Sequence, residues 1–449
     1  MRNLKFTCLA VVLMLTVLMV SGCTTYDNFK DTFFGEKVKE GDTIKIGVLE
    51  PQTGNDSSAG ELEIRGIELA KSLQPEVLGK PVELLYADTQ SSIYVAETAV
   101  QNLIEKKPAA VLGSYGEAVS LTASQLLGEA KIPAITITAT NPLITANNDY
   151  YFRMSFSDGS QGRALADYTV EKLQLKKAGV LRVKGEDASN EMVNQFSSRL
   201  HRLTDDEESV SVTVEIPKET KDRSPYIEKL RKSGVEAVFM PVSVSLGEKI
   251  ISEADQAGLH SVTFLVPKDW HSEQMIKLQN EHPRMKIAVA SDFNAVSAEG
   301  GQPEDDIAEE PSSDDAAAAN GNSSGDTVTG GVSSEQAISS EADESADEKA
   351  ESSVSALYKS FAEAYEKTYG SKEIPEPTAL AFDAYMLAVQ SIEKAGRIDT
   401  EAVQKALLAT RGFRGVSGEI SFNESGEPKK TINIDIVQNG RFVTVFTVA

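Results

Sequence analysis

The sequence predicts an α/β protein made of two doubly wound, Rossmann-like lobes with parallel sheets. Three observations carry this. Short apolar runs alternate with helical segments from Thr43 onward, the pattern of parallel strands joined by crossover helices. The alternation restarts after Arg153 and produces a second unit of similar size. Finally, 449 residues exceed one ordinary domain of roughly 100–200 residues, and a 41% hydrophobic content supplies material for more than one core.

The elements follow in order. In the first unit the pattern predicts strands at Ile44–Leu49, Val82–Tyr86, Ala109–Leu112 and Ala134–Ile137. Between them it predicts helices at Glu61–Leu73, Tyr94–Glu105 and Ser120–Glu129. In the second unit it predicts helices at Gly162–Leu175, Glu191–Leu203, Tyr226–Ser233 and Leu246–Ala257. These alternate with strands at Ala178–Val183, Val210–Ile216, Ala237–Met240 and Val262–Leu265. Two consecutive lobes of this kind suggest a cleft between them, with a ligand at the carboxyl ends of the strands. Residues 298–355 break the alternation. They carry about 16 acidic residues against one Lys and almost no large apolar side chain, a composition that predicts a disordered acidic insertion. Its role is open between a solvated loop and a partner-binding or wall-interacting segment. Helices resume at Leu357–Tyr369, at Thr378–Ala395 (Ala381, Ala384, Tyr385, Ala388 and Ile392 on one face) and at Glu401–Ala409. The chain ends in strands at Gly418–Phe422, Thr431–Val437 and Phe442–Val448, the last two joined by the hairpin signal Asn439-Gly440.

Composition narrows the function. The net charge of −24 excludes nucleic-acid binding as a default. The two Cys residues, Cys8 and Cys23, both precede the folded part, so it contains neither a disulfide framework nor a Cys-based zinc site. No G-x-S-x-G, P-loop, H-E-x-x-H or G-x-G-x-x-G motif is present, and His271 has no nucleophile paired with it by motif. No enzyme, cofactor or metal site is expected. At the N-terminus, Arg2 and Lys5 precede the apolar run Leu9–Val20, which ends in Ser21-Gly22-Cys23. This is the plan of a secretory signal over residues 1–22, too short for a transmembrane helix. Small residues before Cys23 resemble a bacterial lipobox, which implies cleavage there and a lipid on the thiol. The alternative is a plain signal peptide with an incidental Cys. Residues 23–42 read as a tether.

Several stretches resemble one family: Ile44–Gly54 with its Thr53-Gly54 loop, Gly60–Ala70, Leu85-Tyr86-Ala87-Asp88-Thr89, Val111-Leu112-Gly113, Ile132-Pro133-Ala134-Ile135-Thr136, Ala139-Thr140-Asn141-Pro142, Phe152-Arg153, Ala381-Phe382-Asp383-Ala384 and Phe413–Gly418. In this order they resemble the branched-chain amino-acid-binding (Leu/Ile/Val-binding) proteins, type I periplasmic solute-binding proteins of ABC importers. The resemblance implies lobes joined by a three-strand hinge and closing on a ligand. Lobe one would be 43–154 plus 292–410, and lobe two 155–291 plus 411–449. It also implies a small-molecule ligand, an amino acid or similar, an ABC permease as partner, an extracytoplasmic lipid-anchored location and a monomer. The competing reading is an envelope lipoprotein of the same fold that regulates or senses without transport.

In this family lobe one holds the ligand carboxylate through hydroxyls and backbone N–H groups, and an acid of lobe two holds the ammonium. The resemblance maps the first role onto Ser114, Tyr115, Glu117, Thr138, Ala139 and Thr140. It maps the second onto Lys268 or, one residue on, Asp269. The loops after Val183 and Met240 contribute Asp187 and Ser243. Glu117 stands where the family has Ser or Thr. It would repel a ligand carboxylate by roughly 4 kcal/mol at about 4 Å and an effective ε of about 20. Three accounts stay open. Glu117 points to solvent while Asp269 takes an ammonium; Glu117 and Lys268 mark a different ligand, such as a cation, amide, peptide or aromatic; or the cleft binds no small molecule. Trp270 reads equally as a stacking or a core residue, and Arg153 and Asp383 as structural or inter-lobe ion-pair residues.

Overall fold

The computed structural model describes residues 43–186, 189–293 and 356–448. The expected signal peptide, the expected tether with Cys23, Asp187 and the expected acidic insertion lie outside the described residues.

Six strands form the first sheet: β1 (Ile44–Glu50), β2 (Glu76–Val77), β3 (Lys80–Asp88), β4 (Ala110–Gly113), β5 (Ala134–Thr136) and β6 (Tyr151–Arg153), in the order β2-β3-β1-β4-β5-β6. All pairs are parallel except β2 with β3. Helices α1 (Ser57–Leu73), α2 (Ile93–Glu105) and α3 (Glu117–Glu129) make the crossovers. The central strands are apolar on both faces, as helices on both sides require; every residue of β4 is buried.

The second sheet begins with β7 (Ala178–Val183), β8 (Val210–Ile216), β9 (Ala237–Phe239), β10 (Thr263–Val266) and β11 (Lys286–Ser291). Around it lie α4 (Asp158–Asp167), α5 (Asn190–Thr204), α6 (Ser224–Ser233), α7 (Val244–Gln256) and α8 (Glu273–Glu281). The strand pattern did not single out α8 and β11. The helix is short and polar, with only Met275 and Leu278 buried, so it carries almost no apolar period. Helix α4 begins four residues before the expected Gly162 and gives way to a π-turn over Tyr168–Lys172.

After the undescribed segment come α9 (residues 356–369), α10 (Glu376–Ala395) and α11 (Thr400–Leu408). Helix α10 packs along α1 at close range. A Cβ on Gly66 would lie 2.2 Å from the Thr378 carbonyl oxygen, so only Gly permits the approach. A small sheet of β12 (Phe413–Gly415), β13 (Gly418–Phe422) and β14 (Pro428–Lys429) follows. Its apolar side chains Phe413, Ile420 and Phe422 join the first core, with the Phe422 and Phe152 ring centroids 5.1 Å apart. Residues 413–422 therefore pack with lobe one, where the expected division placed 411–449 in lobe two. The chain enters the second sheet only with β15 (Ile432–Gln438) and β16 (Arg441–Val448), giving the order β16-β15-β11-β10-β9-β7-β8.

Described residues pass between the two units at 154–157, 292–293 and 430–431, and one carboxylate gathers all three. Asp292 accepts from Ser155 Oγ and from the Phe156 N–H at 3.3 Å in the first crossing. It pairs with Lys430 Nζ at 2.9 Å in the third. Lys268, from the loop after β10, adds its ammonium at 2.6 Å from Asp292 and 3.0 Å from Glu376 at the start of α10. Glu376 in turn accepts the Asp292 N–H at 3.0 Å. Every one of these side chains is essentially buried. Burial opposes the charge on Lys268, but Asp292 and Glu376 outweigh it and raise its pKa above the ordinary value. Burial likewise opposes the Asp292 anion, yet the two ammonium groups hold its pKa down to about 2. Lys268, expected among the ligand contacts, instead belongs to this pivot. Its charge is consumed by partners 24 and 108 positions away, which no local motif announces.

Candidate functional site

The carboxyl ends of β1, β4 and β5 build one wall. β4 ends at Gly113. The next residue, Ser114, is fully buried with its hydroxyl 3.0 Å from Ser120 Oγ. The Tyr115 N–H donates to Glu50 Oε2 at 3.0 Å, which turns the chain into α3. Glu117 opens that helix and reaches across to the segment after β5. Its carboxylate accepts the Thr140 N–H at 2.9 Å and the Asn141 N–H at 3.1 Å, with Thr140 Oγ1 at 3.4 Å.

These two peptides are aimed by what holds their other ends. In a trans peptide the N–H and C=O point in opposite directions. Buried Arg153 donates to the Ala139 carbonyl at 2.5 Å and the Asn141 carbonyl at 2.6 Å. The Asp158 N–H donates to the Thr140 carbonyl at 3.0 Å. Pulling the Ala139 and Thr140 carbonyls one way turns the Thr140 and Asn141 N–H groups the other, toward Glu117. Ala139 is buried and contributes only its backbone.

Lobe two supplies the facing acids. Asp158 stands in the first turn of α4, half-buried. Burial first, then the carboxylates of Glu117 and Asp269, push its carboxyl up to about 6 against a hydrogen bond from Thr140. Asp269 sits in a 3-10 turn, Lys268–Trp270. The Lys268 N–H is fixed by Gln161 Oε1 at 2.9 Å, and the fully buried Trp270 donates to the Val242 carbonyl at 2.9 Å. With both neighbours buried, Asp269 is turned outward to water. The surrounding protein still raises its pKa by depriving the charge of bulk solvent. Lys268 opposes this, and Glu117 adds to it. Tyr115 stands between the walls: burial, then Glu63, Asp269 and Asp56, push its hydroxyl up to about 12.

Beneath Tyr115 and Thr138 lie two fully buried carboxyls, Glu50 and Glu63. Thr138 Oγ1 donates to Glu63 Oε1 at 2.5 Å. Burial raises both pKa values, that of Glu50 well above the usual carboxylate range because Glu63 also repels it. Burial and their mutual proximity disfavour charging both carboxyls at once.

Of the residues singled out from sequence, the structure brings Tyr115, Glu117, Thr138, Ala139, Thr140 and Asp269 to one place. Ser114 is not free to meet a ligand, because its hydroxyl is committed beneath the wall. Ser243 is exposed at the start of α7, its hydroxyl 3.5 Å from Ser245 Oγ. Glu117 is exposed to solvent, and its carboxylate is at the same time bonded to the wall through the Thr140 and Asn141 N–H groups. Trp270 is core. The sequence reading passed over Asp158, Glu50 and Glu63. Ser157-Asp158 ahead of a helical run carries only a helix-start signal, and Glu50 is the last residue of an otherwise apolar strand. Among the described residues no group of three or more His, Cys, Asp or Glu side chains forms a metal site.

Residues 43–290 match the family described as Periplasmic binding protein. The chain belongs to this family. Its members are solute-binding proteins and not enzymes. A periplasmic binding protein relative, the amino acid binding protein of Pseudomonas aeruginosa, is 30% identical over 202 residues, covering 44% of this chain and 53% of that protein. The Leu/Ile/Val-binding protein homolog 3 of Brucella melitensis is 26% identical over 225 residues, 49% of this chain and 60% of that one. The chain thus spans little more than half the length of these curated relatives. Among solved structures, a leucine-binding protein of Thermotoga maritima superimposes with a TM-score of 0.67 at 25% identity, covering 90% of this chain and 98% of that one. A solute-binding protein of Rhodopseudomonas palustris in complex with benzoate gives 0.63 at 19% identity, with 90% and 96% covered; that likeness shows the fold alone.

Proposed function

We propose that this protein is the extracytoplasmic capture component of an ABC importer. It closes two lobes over a small polar ligand, an amino acid or a relative of one, and presents the closed form to a permease while lipid on Cys23 keeps it at the membrane. The observation that carries this reading is the convergence of lobe-one groups (Tyr115, Glu117, Thr140) and lobe-two groups (Asp158, Asp269) beside a single buried pivot. That is the arrangement ligand-driven hinge closure needs. The relatives named for amino-acid binding support the ligand class, and the family supports the extracytoplasmic location.

The test is small-angle scattering of the purified protein with and without each compound of a metabolite library, after thermal-shift selection. A ligand at 100 times its Kd adds about 2.7 kcal/mol of stability, so binding is readable as a rise in melting temperature. A bound compound that also contracts the scattering envelope supports capture. A library with no hit, or hits without contraction, would favour the second reading, a regulatory envelope protein. That reading draws its support from Glu117 already filling the wall's donors.

A further inference from the structure

We propose that the cleft selects a small organic cation lacking a carboxylate, a primary amine or guanidinium compound, and that Glu117 sets this selectivity. The inference rests on the capture reading and narrows its ligand.

The donors of the lobe-one wall decide the argument. The Thr140 and Asn141 N–H groups are turned to one side by Arg153 and by the Asp158 N–H, and there they would receive any anion entering the cleft. Both already end on the Glu117 carboxylate, at 2.9 and 3.1 Å. The protein supplies its own carboxylate to this subsite. An incoming carboxylate finds the donors engaged and a like charge beside them, whereas a cation finds an anion already oriented.

The rest of the cleft points the same way. Asp158 and Asp269 face Glu117 from the other lobe, closely enough that Glu117 raises the pKa of each. Lys268 and Arg153 act on these acids only in part: Lys268 is paired with Asp292 and Glu376 at 2.6 and 3.0 Å and Arg153 with Glu427 at 3.1 Å, and the pKa values of Asp158 and Asp269 stay raised despite them. Half-buried Tyr115, at the turn into α3, adds an aromatic ring of the type that attracts ammonium and guanidinium groups. Three carboxylates drawn from both lobes would be bridged by a diamine or a guanidinium amine, so ligand charge itself draws the lobes together.

Calorimetry on the full chain tests this with two probe sets. One holds 1,4-diaminobutane, spermidine and agmatine; the other holds leucine, glutamate and benzoate. The expected result is binding confined to the first set, weakened at least tenfold by Glu117→Gln and by Asp269→Asn. Asp269 is exposed, so its variant keeps the test valid where the Glu117 variant fails to fold. Binding of leucine, glutamate or benzoate to the unaltered protein, with the amines silent, would overturn the selectivity and leave capture standing. Silence from both sets, with no other organic ligand found, would overturn the selectivity and capture together. A response to calcium alone, unchanged by the organic amines, would also overturn it.

Discussion

Replacing Asp292 with Asn should loosen the protein more than any exposed substitution of the same size. In the folded chain the Asp292 carboxylate accepts from Ser155 Oγ, from the Phe156 N–H and from the ammonium groups of Lys268 and Lys430. Asn keeps the shape but not the charge. Lys268 retains Glu376, while Lys430 is left with the Met154 carbonyl at 3.4 Å. Removing one partner of a buried pair costs about 3–5 kcal/mol, because the remaining charge is stranded out of water. The proton linkage gives an independent figure. The carboxyl is lowered from 3.8 to about 2, a shift worth roughly 2–3 kcal/mol at roughly 1.4 kcal/mol per unit. For a lowered pKa that stability is fully present above the unfolded value near 4 and is lost as pH falls toward about 2. The mutational loss exceeds the linkage figure because protonation leaves a hydrogen-bonding acid in place, whereas Asn puts an amide against an ammonium. Urea unfolding followed by tryptophan fluorescence, at pH 7 and at steps from pH 5 to 2, measures both. Trp270 is the only tryptophan and is fully buried. A pH 7 loss below about 1 kcal/mol, or an acid slope the same as that of the unaltered protein, would refute the pivot argument.

Two further outcomes follow from the cleft. Asp158→Asn should stabilise the unliganded protein at pH 7, by up to about 3 kcal/mol before solvent screening reduces it. The raised pKa of about 6 means the folded state favours the protonated acid. That stability is present below the unfolded value near 4 and lost as pH rises through 6, so the gain of the variant should vanish by pH 4 in the same urea assay. Arg153→Met should cost about 3–5 kcal/mol by orphaning the buried Ala139 carbonyl together with the part-buried Asn141 carbonyl and Glu427. A melting temperature unchanged by that variant would show that the 138–141 segment does not depend on the guanidinium.

The alternation of apolar runs made the two-sheet architecture readable, because parallel strands buried on both faces leave an uninterrupted apolar signature. It missed the polar α8, whose signature is weak, and also β11, although Ile287–Ala290 is an apolar and buried run. It placed the strand Gly418–Phe422 but not the core that receives it, since nothing in Phe413 or Ile420 tells which that is. The candidate site was readable in part. Glu117 and Thr140, and Asp269 as the alternative to Lys268, stand out through the family resemblance, which maps ligand contacts onto these positions. The fate of Lys268 was not readable, because a buried ion pair is decided by partners that only folding brings close. Likewise, Glu117 shows in sequence only as a misplaced acid; that it grips two peptide groups depends on Arg153 turning them.

A carboxylate shared by every described crossing gives the device its leverage. With 154–157, 292–293 and 430–431 pinned near one point, the halves can tilt but hardly slide, and the rim travels far for a slight turn at the root. Under the proposed capture, changes close to Asp292 should therefore alter how often the jaws gape, and so the apparent grip on cargo, without touching any group that meets the cargo itself.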